Sequence, residues 1–120
     1  MSINISDLTI GQARELAVIF GSGDTSSTNP VGPFQPLMGK NVMVRTVTMI
    51  LIGHLEAVYP GELVLIDAAW IPDTGRYKQF ISEGVFDECE PYPDGQLVIV
   101  GRGALVDLTE WNHPLPREQK

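Results

Sequence analysis

The chain has 120 residues, of which 43% are hydrophobic, and a formal net charge of −7 at pH 7. This length suits one domain with a single core. The acidic balance argues against binding to duplex DNA, which requires a positively charged surface. The longest apolar run, residues 49–52, is too short to cross a membrane. The sequence therefore predicts a soluble, cytoplasmic protein without a membrane partner.

The cysteine content excludes two further classes of protein. Cys89 is the only cysteine, so the chain forms no internal disulfide and no cysteine-based metal site. Its neighbours Glu88 and Glu90 raise the pKa of the thiol and so disfavour a nucleophilic role. We expect Cys89 to be chemically passive, and we predict neither a cofactor nor a metal ion.

The N-terminal third predicts a helix followed by a long loop. Thr9 and Gln12 have the spacing of a capping box, and apolar residues recur at helical spacing up to Phe20. We predict one amphipathic helix over residues 8–20. Residues 21–37 are rich in Gly, Ser, Thr, Asn and Pro and predict a loop, which is either functional or a flexible connector.

From Asn41 onward the apolar period changes to two, which is typical of strands. Gly53 interrupts one run and indicates a bulge or sharp bend. Tyr59-Pro60-Gly61 has the signature of a type II turn, and Asp94-Gly95 that of a hairpin turn. The pattern predicts strands in residues 41–58, 63–70, 96–100 and 104–111, an excursion after Pro72 with a short helix ending near Gly84, and a tail over 112–120.

This order resembles the two-part signature of the Sm, LSm and Hfq proteins. The residues that match the first motif are Gly53, Leu55, Val58, Leu63, Leu65, Asp67 and Ala68; those that match the second are Val98, Val100, Arg102, Gly103 and Val106. The resemblance implies a mainly β fold: an N-terminal α-helix, then a five-stranded, strongly bent antiparallel Sm-like (SH3-like) barrel over 41–111, with an excursion between strands 3 and 4. It also implies a homo-oligomeric ring of about five to seven subunits.

The same resemblance implies a ligand site at Tyr59, Arg102 and Gly103 for a short single-stranded RNA or a small nucleotide. Tyr59 would stack a base, and Arg102 would contact a phosphate or a base edge. The chain departs from the family here, because Glu62 adds a carboxylate and the family's Asn is absent. The alternatives are that Tyr59 is an exposed turn residue and that Arg102 pairs with Glu62 or Asp107 of a neighbouring subunit.

Assembly has its own argument from the residues. The last two strands carry no Lys or Pro to protect their backbone edges from pairing with another chain. Pairing of such edges between copies is head-to-tail and closes into a ring if the rotation permits. The predicted interface residues are Val98, Val100, Leu105 and Val106.

Catalysis is not predicted. His54 and His113 lie far apart in the sequence, and a pair between His54 and Asp67 would have no adjacent nucleophile. The third functional hypothesis, after the two binding roles, is a small hydrolase whose activity depends on His54. The alternative to RNA binding is a protein-interaction or assembly component, of phage origin by general likeness, which presents the loop and the acidic segment 83–94 to a basic partner.

Overall fold

The computed structural model describes residues 32–120, so the predicted helix over 8–20 and most of the loop over 21–37 lie outside the described residues. The strands are β1 (Asn41–Thr46), β2 (Ile50–Val58), β3 (Glu62–Asp73), β4 (Glu88–Pro91), β5 (Leu97–Gly101) and β6 (Leu105–Glu110). The helices are the 3-10 helix η1 (Gly32–Leu37), the α-helix α1 (Tyr77–Glu83) and the 3-10 helix η2 (Arg102–Ala104). The helix η1 differs from the loop predicted for these residues.

The fold is mainly β, as predicted, but the sheet differs from the predicted barrel in two respects. It has six antiparallel strands in the order β4-β3-β2-β1-β6, with β5 also paired to β3. The additional strand β4 forms inside the predicted excursion, because Glu88–Pro91 pairs with the second half of β3. The strands do not close into a barrel, because β5 and β6 pair with β3 and β1 respectively and no ladder joins them within residues 32–120.

Strand β3 changes its outer partner halfway along its length. Its first half pairs with β5 up to Ile66, and its second half pairs with β4 from Ala69 onward. Asp67 lies at the change and has a left-handed φ of 53°, an uncommon conformation for a residue other than glycine. Its carboxylate Oδ1 accepts a hydrogen bond of 2.9 Å from the backbone N–H of Gly95, which fixes the connection between β4 and β5.

Arg117 of the C-terminal tail fills the gap that this change of partner leaves beside β3. Its Nη1 donates to the carbonyl oxygens of Asp67 (2.8 Å) and Ala68 (3.2 Å). Its Nη2 donates to the carbonyl of Tyr92 (2.7 Å) and to Oδ1 of Asp94 (2.7 Å). One guanidinium group therefore connects three parts of the chain: β3, the segment after β4 and the tail.

Gly53 lies at a register shift between β2 and β3, which fits the bulge that the sequence predicts as one of two alternatives. The register between β2 and β3 shifts between Ile52 and His54, on either side of this glycine. A Cβ atom at Gly53 would lie 3.1 Å from the Cβ of Ala68 and 3.2 Å from that of Leu65. A side chain at this point would therefore require the neighbouring residues to move by a few tenths of an ångström, which favours glycine.

The two predicted turns form with different geometry. The turn between β2 and β3 is closed by the N–H of Tyr59, which donates to the carbonyl of Glu62 (2.8 Å). Gly61 does not have the positive φ that a type II turn requires, so the type II assignment is wrong. Gly95 does have a left-handed φ of 79°, but the strands on either side of it both pair with β3 and do not form a hairpin.

Both faces of the sheet are covered. On one face, a cluster packs around Val44, Leu55 and Leu65. On the other, Met43 and Ile52 pack with Phe80 of α1 and with Trp111 at the start of the tail. The cover of this second face therefore comes from the excursion and the tail, which explains why β1 and β2 have apolar residues on both faces.

The tail also covers the edge of β4. The backbone groups of Cys89 and Lys120 exchange two hydrogen bonds, of 3.0 and 2.9 Å. The indole N–H of Trp111 donates to the carbonyl of Pro114 (3.1 Å), and Nε2 of His113 lies 2.9 Å from the carbonyl oxygen of Ile81. No helix among the described residues is long and apolar enough to cross a membrane.

We expect Arg117→Ala to lower the free energy of unfolding by about 2–4 kcal/mol, because it leaves backbone carbonyls of β3 and of Tyr92 without their charged donor. Denaturant unfolding measures this change. Arg76→Ala removes the same charge from an exposed position and serves as the control, with a change within about 0.5 kcal/mol. Equal stabilities of the two variants would contradict the structural role given to Arg117.

Candidate functional site

The structure brings Tyr59 and Arg102 together, although 43 positions separate them in the sequence. The turn between β2 and β3 presents Tyr59, and η2 presents Arg102. The backbone N–H of Arg102 donates to the carbonyl of Gly61 (2.9 Å), and its Nη2 donates to the carbonyl of Tyr59 (2.6 Å). The two loops therefore form one surface, which we call the Tyr59–Arg102 site.

Phe34 of η1 completes this site. The guanidinium carbon of Arg102 lies 4.6 Å from the centre of the Phe34 ring, within the range of a cation–π contact. The buried Nε atom of Arg102 has no hydrogen-bond partner within residues 32–120. Arg102 is thus held between an aromatic ring and a backbone carbonyl, in a fixed orientation. Phe34 was not predicted as a site residue, because it lies in the region predicted as a loop and belongs to no distinguishing sequence pattern.

The surroundings of Arg102 are open. The ring of Tyr59 is half exposed, and Cβ atoms built at Gly61, Gly101 and Gly103 would meet no atom within 4 Å. None of these three glycines has a left-handed φ, so neither backbone conformation nor packing within the chain requires glycine there. The absence of side chains allows another molecule to approach the backbone closely.

The charges near the site are mixed. Glu62 and Glu56 are exposed on the strands on either side of the Tyr59 turn and disfavour the approach of several phosphates. Asp107 is not free to pair with an Arg102, because it accepts hydrogen bonds from Arg45 of the same chain, one of them 2.8 Å from Nε. These bonds hold the pKa of Asp107 below its usual value. One cation in an acidic setting suits a single base or a single anionic group.

The predicted interface residues divide between the core and the surface. Val100 is buried, and Val98 and Leu105 pack against the first core cluster. Val106 is 56% exposed. Their role in an interface stays a prediction, but three of the four side chains are committed to the chain's own core.

Two exposed residues on β5 were missed. Leu97 is 55% exposed and Ile99 is 67% exposed, and both alternate with the inward-facing Val98 and Val100. The run from 97 to 100 is apolar throughout, so the sequence alone did not indicate which alternate residues face outward.

The histidines and Cys89 do not form a reactive cluster. Nδ1 of His54 lies 3.2 Å from Oδ1 of Asn41, and the carboxylate of Asp67 bonds to Gly95 instead of to His54. Cys89 is fully buried, and burial, followed by the charge of Glu90, raises the pKa of its thiol. In residues 32–120, no group of three or more His, Cys, Asp or Glu residues is placed to hold a metal ion.

Comparisons with known proteins assign no family to this chain. No family model, no curated protein and no solved structure matches it.

Proposed function

We propose that this protein is a non-enzymatic, self-assembling binding protein whose copies join β5 of one subunit to β6 of the next. The assembly is an Sm-like ring of about five to seven subunits. Each subunit contributes one Tyr59–Arg102 site, which binds a short single-stranded RNA or a small nucleotide.

The proposal rests on one observation: among residues 32–120, the end strands β5 and β6 each have a neighbouring strand on one side only. β5 has β3 on one side only, and β6 has β1 on one side only, within the described part of the chain. Each strand therefore has a second backbone edge for pairing with another chain. Exposed apolar side chains accompany both edges: Leu97 and Ile99 on β5, and Val106 on β6. In contrast, the edge of β4 is covered by the pairing of Cys89 with Lys120.

The connection between the two end strands supports a closed assembly. β5 and β6 are joined by only three residues of η2, so the two edges are held at a fixed angle to each other. Contacts between different edges are head-to-tail, and a fixed angle at each contact produces a ring if the rotation closes. Arg102 and Gly103 of η2 would then recur once per subunit, between neighbouring contacts.

The ligand follows from the geometry of the Tyr59–Arg102 site. The exposed ring of Tyr59 offers a face on which a base stacks, and stacking tolerates any base. Arg102 offers its remaining N–H groups to one phosphate or base edge. The acidic residues nearby disfavour long RNA, so we favour one or a few nucleotides per subunit.

We expect Ile99→Lys to reduce the assembly to monomers of 13.2 kDa, because it places a charge in every β5–β6 contact. Light scattering during size-exclusion chromatography measures the mass. The control is Val85→Lys, which adds the same charge at a residue 49% exposed on the loop after α1 and should leave the wild-type mass unchanged. A monomeric wild-type protein at micromolar concentration would refute the assembly.

We expect Tyr59→Ala to weaken the binding of a fluorescently labelled oligoadenylate about tenfold, because it removes the stacking ring. The backbone carbonyl that holds Arg102 remains, so the assembly and the fold should not change. Fluorescence anisotropy measures the affinity. Tyr77→Ala removes another exposed tyrosine ring, 42% exposed on α1, and should bind like the wild type. Loss of the same affinity in both variants, or no binding by the wild type, would rule out this ligand.

A protein-interaction role is the second candidate, and the acidic segment 83–94 favours it. Its acidic residues Glu83, Asp87, Glu88, Glu90 and Asp94 are all exposed. Only Asp94 forms an ion pair within residues 32–120, with Arg117. Four exposed carboxylates without a cation attract a basic partner, and salt would weaken such binding. The same oligoadenylate experiment compares the two candidates, since a negative result for the wild-type protein favours this one over RNA binding.

A further inference from the structure

A cleft beside β4 has an unusual lining for the surface of an acidic protein. Its volume is about 310 Å³, and it is lined by Met49, Trp70, Glu90, Pro91, Tyr92 and Pro93. Trp70 is 39% exposed, whereas the other tryptophan, Trp111, is only 3% exposed and belongs to the core. An exposed tryptophan beside a tyrosine and two prolines is typical of a binding surface, because such groups gain most from being covered.

The walls of this cleft are held rigidly. Trp70 pairs with Leu51 on one side and with Glu90 on the other. The N–H of Tyr92 donates to the carbonyl of Ala68 (2.8 Å), and the carbonyl of Tyr92 accepts from Nη2 of Arg117 (2.7 Å). The backbone that carries the two aromatic residues is therefore fixed before any ligand arrives, which lowers the entropic cost of binding.

A second, more polar depression adjoins the first at Met49 and Trp70, which line both. It has a volume of about 470 Å³, and its lining includes Thr48, Asp73, Thr74 and Arg45, whose guanidinium group is paired with Asp107. The side chains of these residues supply hydrogen-bonding groups that the aromatic cleft lacks. Together the two depressions form a groove with an aromatic half and a polar half, which suits a ligand that is extended rather than compact.

Charge decides which extended ligand fits. Glu90 is the single charged residue that lines the aromatic half, and no cation lies there. Its carboxylate accepts a hydrogen bond of 3.0 Å from the neutral amide of Gln119, but it forms no ion pair within residues 32–120. A carboxylate next to Trp and Tyr faces favours a cation that also stacks, and guanidinium does both.

We propose that this groove binds an extended, arginine- and proline-containing segment of a partner protein. Proline rings pack flat against the indole of Trp70, and a proline-containing segment is already extended before it binds. An arginine beside them stacks on Tyr92 or Trp70 and pairs with the carboxylate of Glu90. The threonines and Asp73 in the polar half accept hydrogen bonds from the backbone of the segment.

The same lining argues against other occupants. A nucleic acid would bring phosphates toward Glu90 and Asp73, where no unpaired cation compensates them. A second copy of this chain carries a net charge of −7 and would bring further acidic surface to an acidic groove. The groove is complete within one chain, so this proposal does not rest on ring formation or on the Tyr59–Arg102 site.

The test uses the two tryptophans as reporters within one sample. A short synthetic peptide of alternating prolines and arginines is titrated into the full-length ¹⁵N-labelled protein, and the two indole N–H signals are followed by NMR. We expect the Trp70 signal to shift with saturation, and the Trp111 signal, whose N–H donates to Pro114, to stay in place. The same peptide with glutamate in place of arginine should produce no shift.

Two matched variants locate the contact. Glu90→Gln should weaken binding of the arginine peptide about three- to tenfold, because it removes the carboxylate from the cleft. Glu88→Gln removes the same charge two residues away on β4, outside the lining, and should change the affinity less than twofold. Trp70→Ala should weaken binding of the arginine peptide at least tenfold. Because this variant lacks the reporter indole, calorimetry measures its affinity.

Several results would overturn the proposal. The first is the absence of a saturable shift of the Trp70 signal at millimolar peptide. The second is equal binding of the glutamate peptide, and the third is equal weakening of binding by Glu88→Gln and Glu90→Gln. A shift of Trp70 when the protein alone is concentrated would assign the groove to a second copy. Displacement of the peptide by oligoadenylate would assign it to nucleic acid. Peptide binding is detected through the Trp70 indole signal. These outcomes therefore do not depend on the mass of the assembly or on nucleotide binding at Tyr59.

Discussion

Strand β3 lies between β2 on one side and two different strands, β5 and β4, on the other, and this exchange of partners at Asp67 organises the sheet. The backbone turns into a left-handed conformation there, and the change leaves carbonyl groups without a neighbouring strand. Arg117 donates to the carbonyls of Asp67 and Ala68, and the carbonyl of Ala68 also accepts from the backbone N–H of Tyr92. Since unpaired carbonyl groups are costly when water is excluded, the sheet depends on a residue from the C-terminal tail.

This arrangement separates two surfaces of the molecule. The first half of β3 carries β5, which leads through η2 to β6, and therefore places the two open edges and the Tyr59–Arg102 site together. The second half carries β4 and places Trp70 opposite Glu90 in the aromatic cleft. Arg117 is bonded to Asp67 and Ala68 at the junction of the two halves and also to Tyr92 in the cleft wall. One connection thus positions both the open edges of the sheet and the aromatic cleft.

Much of this fold was predictable from local pattern. The glycine at position 53, the helix that ends at Gly84 and the alternation in β1 to β3 each follow from short-range rules, and the structure contains all three features. Tyr59 and Arg102, two residues of the ligand site predicted from the resemblance to Sm proteins, are joined by a hydrogen bond, and their role in binding stays a prediction.

The features that could not be predicted all depend on contacts between distant parts of the chain. Glu88–Pro91 is too short and too acidic to be read as a strand, and it becomes one because β3 offers an open edge. Arg117 stands in a polar tail that has no periodic pattern, and apart from the carboxylate of Asp94 its partners are backbone carbonyl groups, which are present in every residue. Which of the apolar residues 97–100 face outward likewise depends on the register with β3. Contacts between residues that are distant in the sequence determine these features, and local sequence patterns do not predict such contacts.

The most direct test of the central claim, that β5 and β6 pair between copies, is amide hydrogen exchange of the wild-type protein at high and low concentration. The account predicts that amides of β5 and β6 that have no partner within the chain exchange slowly in the assembly, as those of β1 and β2 do, and become fast on dilution. Fast exchange at both strands at every concentration, with β1 and β2 protected, would show that these edges stay open and would contradict the account.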